Sequence, residues 1–260
     1  PFIDRIILDF SDLVDGDGNP IISLTPAYNP ADYPNSDGIV LSGDFLSWGY
    51  TPSGSIIRGL EIHGFPGSGI CIHSDDNIVQ LCHLHDNGNN GVCIEDGNGN
   101  SIGDTYASGA HAEGNTIFSN GLNGVSIFEA SVADAVPPPA NNAMLGNSIY
   151  GNGGLGIDHG NDGAVTSNRY PGGPTTPLVR PDTADAVNFH VNYPSVNIAT
   201  IGGVDPSVIE GYLLSWRSTT FRIEAYVNDA RDASGNGEGK TFLGATTVVT
   251  DADSAYAWYS

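Results

Sequence analysis

Histidine and glutamate recur at a fixed spacing in the first half of the chain. Glu61 and His63 flank one apolar residue, and His83 and His85 repeat this arrangement 22 residues later. Alternate residues of a β-strand point to the same side, so two neighbouring strands about 4.8 Å apart would place all four side chains in one patch. Imidazole and carboxylate groups bind transition metals, and they also act as general acids and bases. The simpler alternative is a row of solvated side chains.

The chain has three cysteines, an odd number that does not make a disulfide scaffold. Cys71 and Cys93 are also 22 residues apart, and side-by-side placement would bring them within the Cα distance that a disulfide tolerates. The geometry between parallel, in-register neighbours is unfavourable for this bond. The sequence is therefore compatible with a disulfide and with two free thiols. Cys82 is two residues before Leu84, so its side chain should point to the same, inward side, and it is predicted to be a buried core thiol.

Acidic turns offer oxygen ligands for calcium. Asp15, Asp17 and Asn19 alternate as in calcium-binding loops, although an Asp-rich turn would look the same. The segment at the end of the repeat region could likewise hold calcium, through Asp158, Asn161 and Asp162. A third acidic loop contains Asn228, Asp229, Asp232, Asn236 and Glu238. Calcium is therefore the candidate cofactor.

Two pairs of adjacent carboxylates also fall on the turns of neighbouring repeats. Asp75-Asp76 and Glu95-Asp96 would stack on neighbouring turns. Glycosidases use two carboxylates across a sugar groove, separated by about 5–10 Å. Asp is equally common at turns because its side chain bonds the local backbone. A catalytic pair and a pair of structural turns are thus the two interpretations.

An internal repeat organises these residues. Four segments share, with small departures, the pattern Ile-x-x-Asn-Gly-x-x-Gly-Val-x-Ile, and their first apolar positions are Ile62, Leu84, Ile117 and Ile149. Each repeat reads as two short strands around a Gly/Asn turn, closed by a third short strand, as at 77–79, 100–102 and 143–145. Segments this short cannot each bury an apolar face, whereas stacked coils bury one continuous core.

Stacking in this register predicts four columns of side chains. Those that point inward are Ile62, Leu84, Ile117 and Ile149, and Ile72, Ile94 and Ile127. Asn87, Asn120 and Asn152 should form an amide ladder, and the glycine beside each should permit positive φ. The outward column is His63, His85, Phe118 and Tyr150, whose aromatic pair could bind a sugar or merely stabilise the stack.

The repeat register resembles that of right-handed parallel β-helix proteins of bacterial secretions and surfaces. The resemblance covers roughly residues 1–165, and it implies an all-β fold. Many proteins of this kind then carry an immunoglobulin-like β-sandwich, which the segments 192–194 and 221–244 resemble. We expect a β-helix over 1–165, a linker over 166–191 and a β-sandwich over 192–260.

The predicted sandwich strands are the alternating runs 196–201, 208–214, 220–227, 241–249 and 255–259. A complete immunoglobulin-like sandwich would contain another strand or two. We therefore expect either that the sequence is a fragment or that a neighbouring chain completes the sheet. Strand complementation and end-to-end stacking of β-helices are the expected modes of self-association.

Composition excludes several classes of function. The chain has 8 Lys and Arg against 30 Asp and Glu, a net charge of −22, so it lacks the basic surface that nucleic acids and anionic membranes require. No apolar run reaches the roughly 20 residues of a membrane span. The acidity suits an extracellular or cell-surface setting, and the absence of an Asn-x-Ser/Thr sequon is compatible with a bacterial or archaeal source.

Two classes of function follow from this. The first is a non-catalytic structural or adhesive protein, which could be a subunit of a filament. The second is a carbohydrate-active enzyme, a polysaccharide lyase or hydrolase, or a carbohydrate-binding module that uses the β-helix face. A lyase needs a basic residue for the C5 proton, and the regular coils offer only Arg58. This favours the non-catalytic interpretation.

Overall fold

The structure is a computed structural model, and it describes residues 7–10, 12–20, 22–27, 30–32, 34–42, 53–104, 112–129, 139–161, 163, 193–200, 208–231 and 237–260. The predicted linker 166–191 lies outside these residues. Within the described residues, no helix has the length and apolar character needed to cross a membrane.

The amino-terminal part is a stack of coils, each built from three short strands. Coil 1 contains β1 (Ile7–Asp9), β2 (Ile22–Leu24) and β3 (Ile39–Leu41). Coil 2 contains β4 (Ile56–Arg58), β5 (Leu60–His63) and β6 (Ile70–Ile72). Coil 3 contains β7 (Ile78–Gln80), β8 (His83–His85) and β9 (Val92–Glu95). Coil 4 contains β10 (Ser101–Gly103), β11 (Thr116–Phe118) and β12 (Val125–Phe128). Coil 5 contains β13 (Ala143–Leu145), β14 (Ser148–Tyr150) and β15 (Ile157–His159).

Corresponding strands of successive coils pair in parallel and form three five-stranded sheets. We call them the first sheet (β1, β4, β7, β10, β13), the second sheet (β2, β5, β8, β11, β14) and the third sheet (β3, β6, β9, β12, β15). This is the parallel β-helix that the repeat predicts. A short 3-10 turn, Pro30–Asp32, lies between β2 and β3.

The core follows the predicted columns. Ile62 pairs with Leu84, and Ile117 pairs with both Leu84 and Ile149. All four are at most 5% exposed, and they belong to one apolar cluster that runs through the coils. Burial of a Leu or Ile side chain contributes roughly 1.5–3 kcal/mol relative to exposure, so the stacked columns are a principal source of stability.

The predicted Asn87–Asn120–Asn152 ladder is present and is buried. Asn120 Oδ1 accepts from Asn87 N at 3.2 Å and from Asn87 Nδ2 at 3.0 Å, and Asn152 Oδ1 accepts from Asn120 in the same way. A second ladder joins Asn77, Asn100 and Asn142, and a third joins Asn115 and Asn147. The amides satisfy backbone N–H groups at the corners, where the sheets leave them unpaired.

Positive φ at the ladder turns falls on the residue before each Asn, which is Asp86, Ser119 and Gly151. The predicted role of glycine is therefore confirmed at Gly151, whereas Gly88 and Gly121 do not adopt positive φ. Glycine is required for a different reason, since a Cβ on Gly121 would lie 2.2 Å from the Gly88 carbonyl oxygen. The turns of successive coils therefore pack backbone against backbone.

The C-terminal part contains two antiparallel sheets. Their strands are β16 (Ser195–Thr200), β17 (Val208–Leu214), β18 (Thr220–Val227), β19 (Thr241–Val249) and β20 (Tyr256–Tyr259). One sheet has the order β16-β17-β20 and the other pairs β18 with β19. A small core of Leu213, Ile223, Val248 and Ala257 joins the two sheets.

The end of the β-helix at coil 5 is covered by the segment that precedes β19. Ile149 and Gly239 exchange two backbone hydrogen bonds, of 2.8 and 2.9 Å. Glu238 continues the amide ladder, because its Oε1 accepts from Asn152 N at 3.2 Å and from Asn152 Nδ2 at 2.9 Å. Lys240 lies over the Tyr150 ring, with Nζ 4.9 Å from the ring centroid. The second sheet is therefore capped within the chain at this end.

Candidate functional site

The outer face of the second sheet carries the predicted histidine and aromatic column. The rings of His63, His85, Phe118 and Tyr150 stack with centroid separations of 4.9, 4.6 and 5.2 Å and interplanar angles of 4–14°. Lys240 closes the column at Tyr150. Because each ring covers the face of its neighbour, the column presents ring edges to solvent, whereas a sugar stacks on a ring face.

Both ring nitrogens of His85 have carboxylate partners. Nε2 lies 3.1 Å from Glu61 Oε1, and Nδ1 lies 2.8 Å from Asp86 Oδ2. His63 Nε2 lies 3.1 Å from Ser23 Oγ. The hydrogen bond from His85 lowers the pKa of Glu61, while burial lowers the pKa of His83. Glu61 and His85 thus form a paired unit rather than a free acid and a free base.

Ligand atoms of the predicted Glu61, His63, His83 and His85 patch do not converge in the described structure. Among the described residues, the atoms that come together in a group of three belong to Cys71, His73 and Glu95, within 4.8 Å of one another. The predicted patch therefore contains stacked and paired side chains, and the metal-ligand geometry lies on a different sheet.

The third sheet places Cys71 beside Cys93, with Cα atoms 4.5 Å apart, and the structure joins them by a disulfide. Both are 4% exposed, although they alternate with inward-pointing residues on their strands and therefore point away from the core. The same column continues through Ser126 and Asp158, which are 0 and 1% exposed. Cys82 lies in the core as predicted, and burial raises the pKa of its thiol to about 12.

His73 was not among the sequence-predicted site residues. It follows β6 two positions after Cys71, just as Glu95 follows Cys93, and His73 Nδ1 lies 3.6 Å from Glu95 Oε2. The signal is present in the sequence as Cys-Ile-His and, 22 residues later, Cys-Ile-Glu. The adjacent Asp96 obscures this pattern, because Glu95-Asp96 also resembles the acidic pair Asp75-Asp76.

In the structure, Asp75, Asp76 and Asp96 stabilise or form turns. Asp76 and Asp96 adopt positive φ, at 58° and 63°. Asp75 Oδ1 accepts from Asn98 N at 2.8 Å and from Asn98 Nδ2 at 3.2 Å. These contacts favour the interpretation of structural turns over that of a catalytic pair.

The acidic loops close on themselves. Asp15 Oδ1 accepts from the backbone N–H groups of Asp17 and Asn19, both at 2.9 Å, and bonding from the Asn19 side chain lowers the pKa of Asp15. Asp158 Oδ2 accepts from Asn123 Nδ2 at 3.1 Å, and Asn161 Oδ1 lies 3.3 Å from the same Nδ2. Each loop thus uses part of its oxygen ligands for internal hydrogen bonds.

Three members of the predicted acidic groups, Asp162, Asp232 and Asn236, lie outside the described residues. The described residues of the third acidic loop make contacts with one another and with the β-helix. Asn228 Oδ1 accepts from Lys240 N at 2.9 Å, and Asp229 pairs with the Lys240 ammonium group. With Glu238 on the Asn ladder, this loop has a structural role in the described contacts.

Comparison with known proteins adds one finding. Residues 49–172 match the family model of the right handed beta helix region. Together with the parallel strand stacks, this match supports a right-handed β-helix. No curated protein matches the chain. Right-handed β-helices occur in both structural and carbohydrate-active proteins, so the fold does not select the function.

Proposed function

We propose that the chain is a non-catalytic structural or adhesive protein of the extracellular space or cell surface, and that it associates with copies of itself. The observation that carries this proposal is the exposed apolar surface of the β16-β17-β20 sheet. Trp258 is 70% exposed, Ile198 is 51% exposed and Tyr256 is 37% exposed. Contiguous apolar surface of this kind marks interaction sites on soluble proteins.

The edges of the same sheet support this proposal. In the described part of the chain, β16 and β20 each pair only with β17. An unprotected edge strand presents backbone N–H and C=O groups that can pair with another chain. Val196 on β16 is 59% exposed, which adds apolar area to an edge that nothing in the described structure covers.

The two C-terminal sheets, in this proposal, are an incomplete immunoglobulin-like sandwich that a strand from a neighbouring copy completes. Such β-augmentation supplies main-chain hydrogen bonds and inserts alternate side chains into the core. The core that these sheets share is small, with Leu213, Ile223, Val248 and Ala257 as its buried members. An added strand would enlarge it.

The contacts on the β-helix face support a non-catalytic role. Both nitrogens of His85 are taken by carboxylates, and the aromatic column offers edges rather than faces. Calcium at the Asp15 loop or the Asp158 loop is a further proposal, which the oxygen-rich composition of these loops supports. It would stabilise the coils that the loops connect.

A second candidate function, carbohydrate binding, is favoured by one observation. Tyr212 contacts Tyr256 and Trp258 with ring centroids 5.6 and 5.5 Å apart and interplanar angles of 46° and 56°. The tilted rings leave part of their faces open, unlike the column on the second sheet. Asn197 and Glu210 line the same depression as Trp258 and offer hydrogen bonds to hydroxyl groups.

Sedimentation over a range of protein concentrations tests the proposed self-association. We expect the mass of the wild-type chain to rise with concentration, and Ile198→Ser/Trp258→Ser to remain a monomer. Leu122→Ser is the matched control, because Leu122 is 45% exposed on a β-helix turn and is not part of this sheet. A wild-type chain that stays monomeric at all concentrations would contradict the proposal. Retention on polysaccharide columns, lost in Trp258→Ser, would support the second candidate instead.

A further inference from the structure

Four side chains that bind zinc in proteins form a rectangle on the outer face of the third sheet. Cys71 and His73 stand two positions apart at β6, and Cys93 and Glu95 stand two positions apart at β9. The register pairs Cys71 with Cys93 and places His73 beside Glu95. We call these four residues the Cys–His–Glu cluster.

We propose that the Cys–His–Glu cluster binds one Zn²⁺ ion when the Cys71–Cys93 disulfide is reduced. This inference goes beyond the proposed function, and it concerns a different face of the molecule. Two thiolates, one imidazole and one carboxylate make a closed set of four protein ligands, and a closed four-coordinate set is typical of structural zinc sites. Sulfur and nitrogen ligands select zinc over calcium or magnesium.

The geometry brings three of the four proposed ligands together. The ligand atoms of Cys71, His73 and Glu95 all lie within 4.8 Å of one another. Tetrahedral Zn²⁺ with bonds of about 2.0–2.3 Å separates its ligand atoms by roughly 3.3–3.8 Å, so the widest of these separations needs to close by about 1–1.5 Å. Cys93 already lies against Cys71, because the disulfide joins their sulfur atoms.

Burial gives the cluster a shielded side and an open side. Cys71 and Cys93 are 4% exposed, whereas the His73 and Glu95 side chains are 28% and 24% exposed. Zn²⁺ could therefore enter past His73 and Glu95 and be held against the two sulfurs. The strongly acidic chain, with a net charge of −22, would attract the cation.

Oxidation and metal binding exclude each other at this cluster. A phosphine reductant breaks the Sγ–Sγ bond and becomes a phosphine oxide with oxygen taken from water, while the two cysteine sulfurs gain two electrons and two protons. Binding of Zn²⁺ then releases both protons, because the metal binds thiolates. Coils 2 and 3 are thus linked either by the disulfide or by the metal.

Metal titration of the full chain tests this inference. The protein is purified in its oxidised state, reduced with a phosphine without oxygen, and titrated with Co²⁺ as a spectroscopic probe and then with Zn²⁺. We expect one equivalent to bind to the reduced chain, with thiolate-to-cobalt charge-transfer absorption, and none to bind at this site in the oxidised chain. Cys82→Ala, which removes the core thiol, should behave as the wild type.

Variants of His73 and Glu95 test the ligand set without changing the cysteines. His73→Asn and Glu95→Gln retain both cysteines, so each can fold with its disulfide before reduction, and circular dichroism checks the fold. We expect each to bind Zn²⁺ at least tenfold more weakly than the wild type does. A reduced wild-type chain without charge-transfer absorption would overturn the inference. Wild-type affinity in the His73→Asn/Glu95→Gln double variant would overturn it as well.

Discussion

Replacing Asn120 by alanine would remove the middle amide of the buried Asn ladder. Asn120 is 2% exposed, and its side chain connects three coils. Its Oδ1 accepts from the backbone and side chain of Asn87, and its Nδ2 donates to Leu84 O and to Asn152 Oδ1, both at 3.0 Å. Alanine at this position makes none of these bonds.

The magnitude of the loss follows from the groups that remain. Without Asn120 Oδ1, the backbone N–H of Asn87 and one proton of its Nδ2 lose their acceptor. A buried polar group that loses its partner costs about 1–3 kcal/mol, so these two donors together predict a loss of about 2–6 kcal/mol in the free energy of unfolding. Entry of water into the vacated space would place the value near the lower end.

Urea unfolding followed by far-ultraviolet circular dichroism measures this loss. Asn89→Ala is the matched control, since Asn89 lies on the turn of the preceding coil and its side chain makes no hydrogen bond within the described residues. The control should change the free energy of unfolding by less than about 0.5 kcal/mol. Equal losses in the two variants, or an Asn120→Ala chain as stable as the wild type, would refute the ladder argument.

Four further predictions concern stability. Leu84→Asp should prevent folding, because Leu84 is fully buried and an unpaired carboxylate there costs several kcal/mol; a soluble variant with unchanged melting would contradict the register. Glu238→Ala should lower the melting temperature by uncapping Asn152, whereas Glu238→Gln, which keeps one acceptor oxygen, should lose less in the same scan. Calcium should raise the melting temperature through at least one acidic loop, with Asp15 the first choice, and identical curves in calcium and in chelator would remove the claim. Burial holds the pKa of His83 below its ordinary 6.5, so the unfolded chain binds more protons just below pH 6.5; stability should therefore rise with pH across that window, and His83→Gln should flatten the rise in pH-dependent urea titrations.

The features predicted correctly are those that a local period fixes. The 22-residue step from Ile62 to Leu84 sets the register of β5 against β8, and the placement of His83 and His85 beside Glu61 and His63 follows from it. The C-terminal strands 208–214, 220–227 and 241–249 match the structure because alternation and turn residues define them locally. Asn87 and Asn120 align for the same reason as the apolar columns.

Features that depend on contacts between distant segments were not predictable. Glu238 continues the Asn ladder from 86 residues away, and nothing in the acidic loop around it indicates that partner. The burial of Cys71 and Cys93 on an outward face is likewise set by packing rather than by parity. The repeat shows that position 121 is a glycine turn, but it does not show why glycine is needed there. The reason is the close approach to the Gly88 carbonyl oxygen, which arises only when the coils are stacked.

Self-association through the β16-β17-β20 sheet is the central claim, and electron microscopy of the native particle tests it most directly. The structure leaves Trp258 and Ile198 exposed on this sheet, with β16 and β20 at its edges. We predict assemblies or filaments in which a neighbouring copy covers this face or adds a strand to one of these edges. Isolated particles with β20 paired only to its own β17 and with Trp258 facing solvent would contradict the claim.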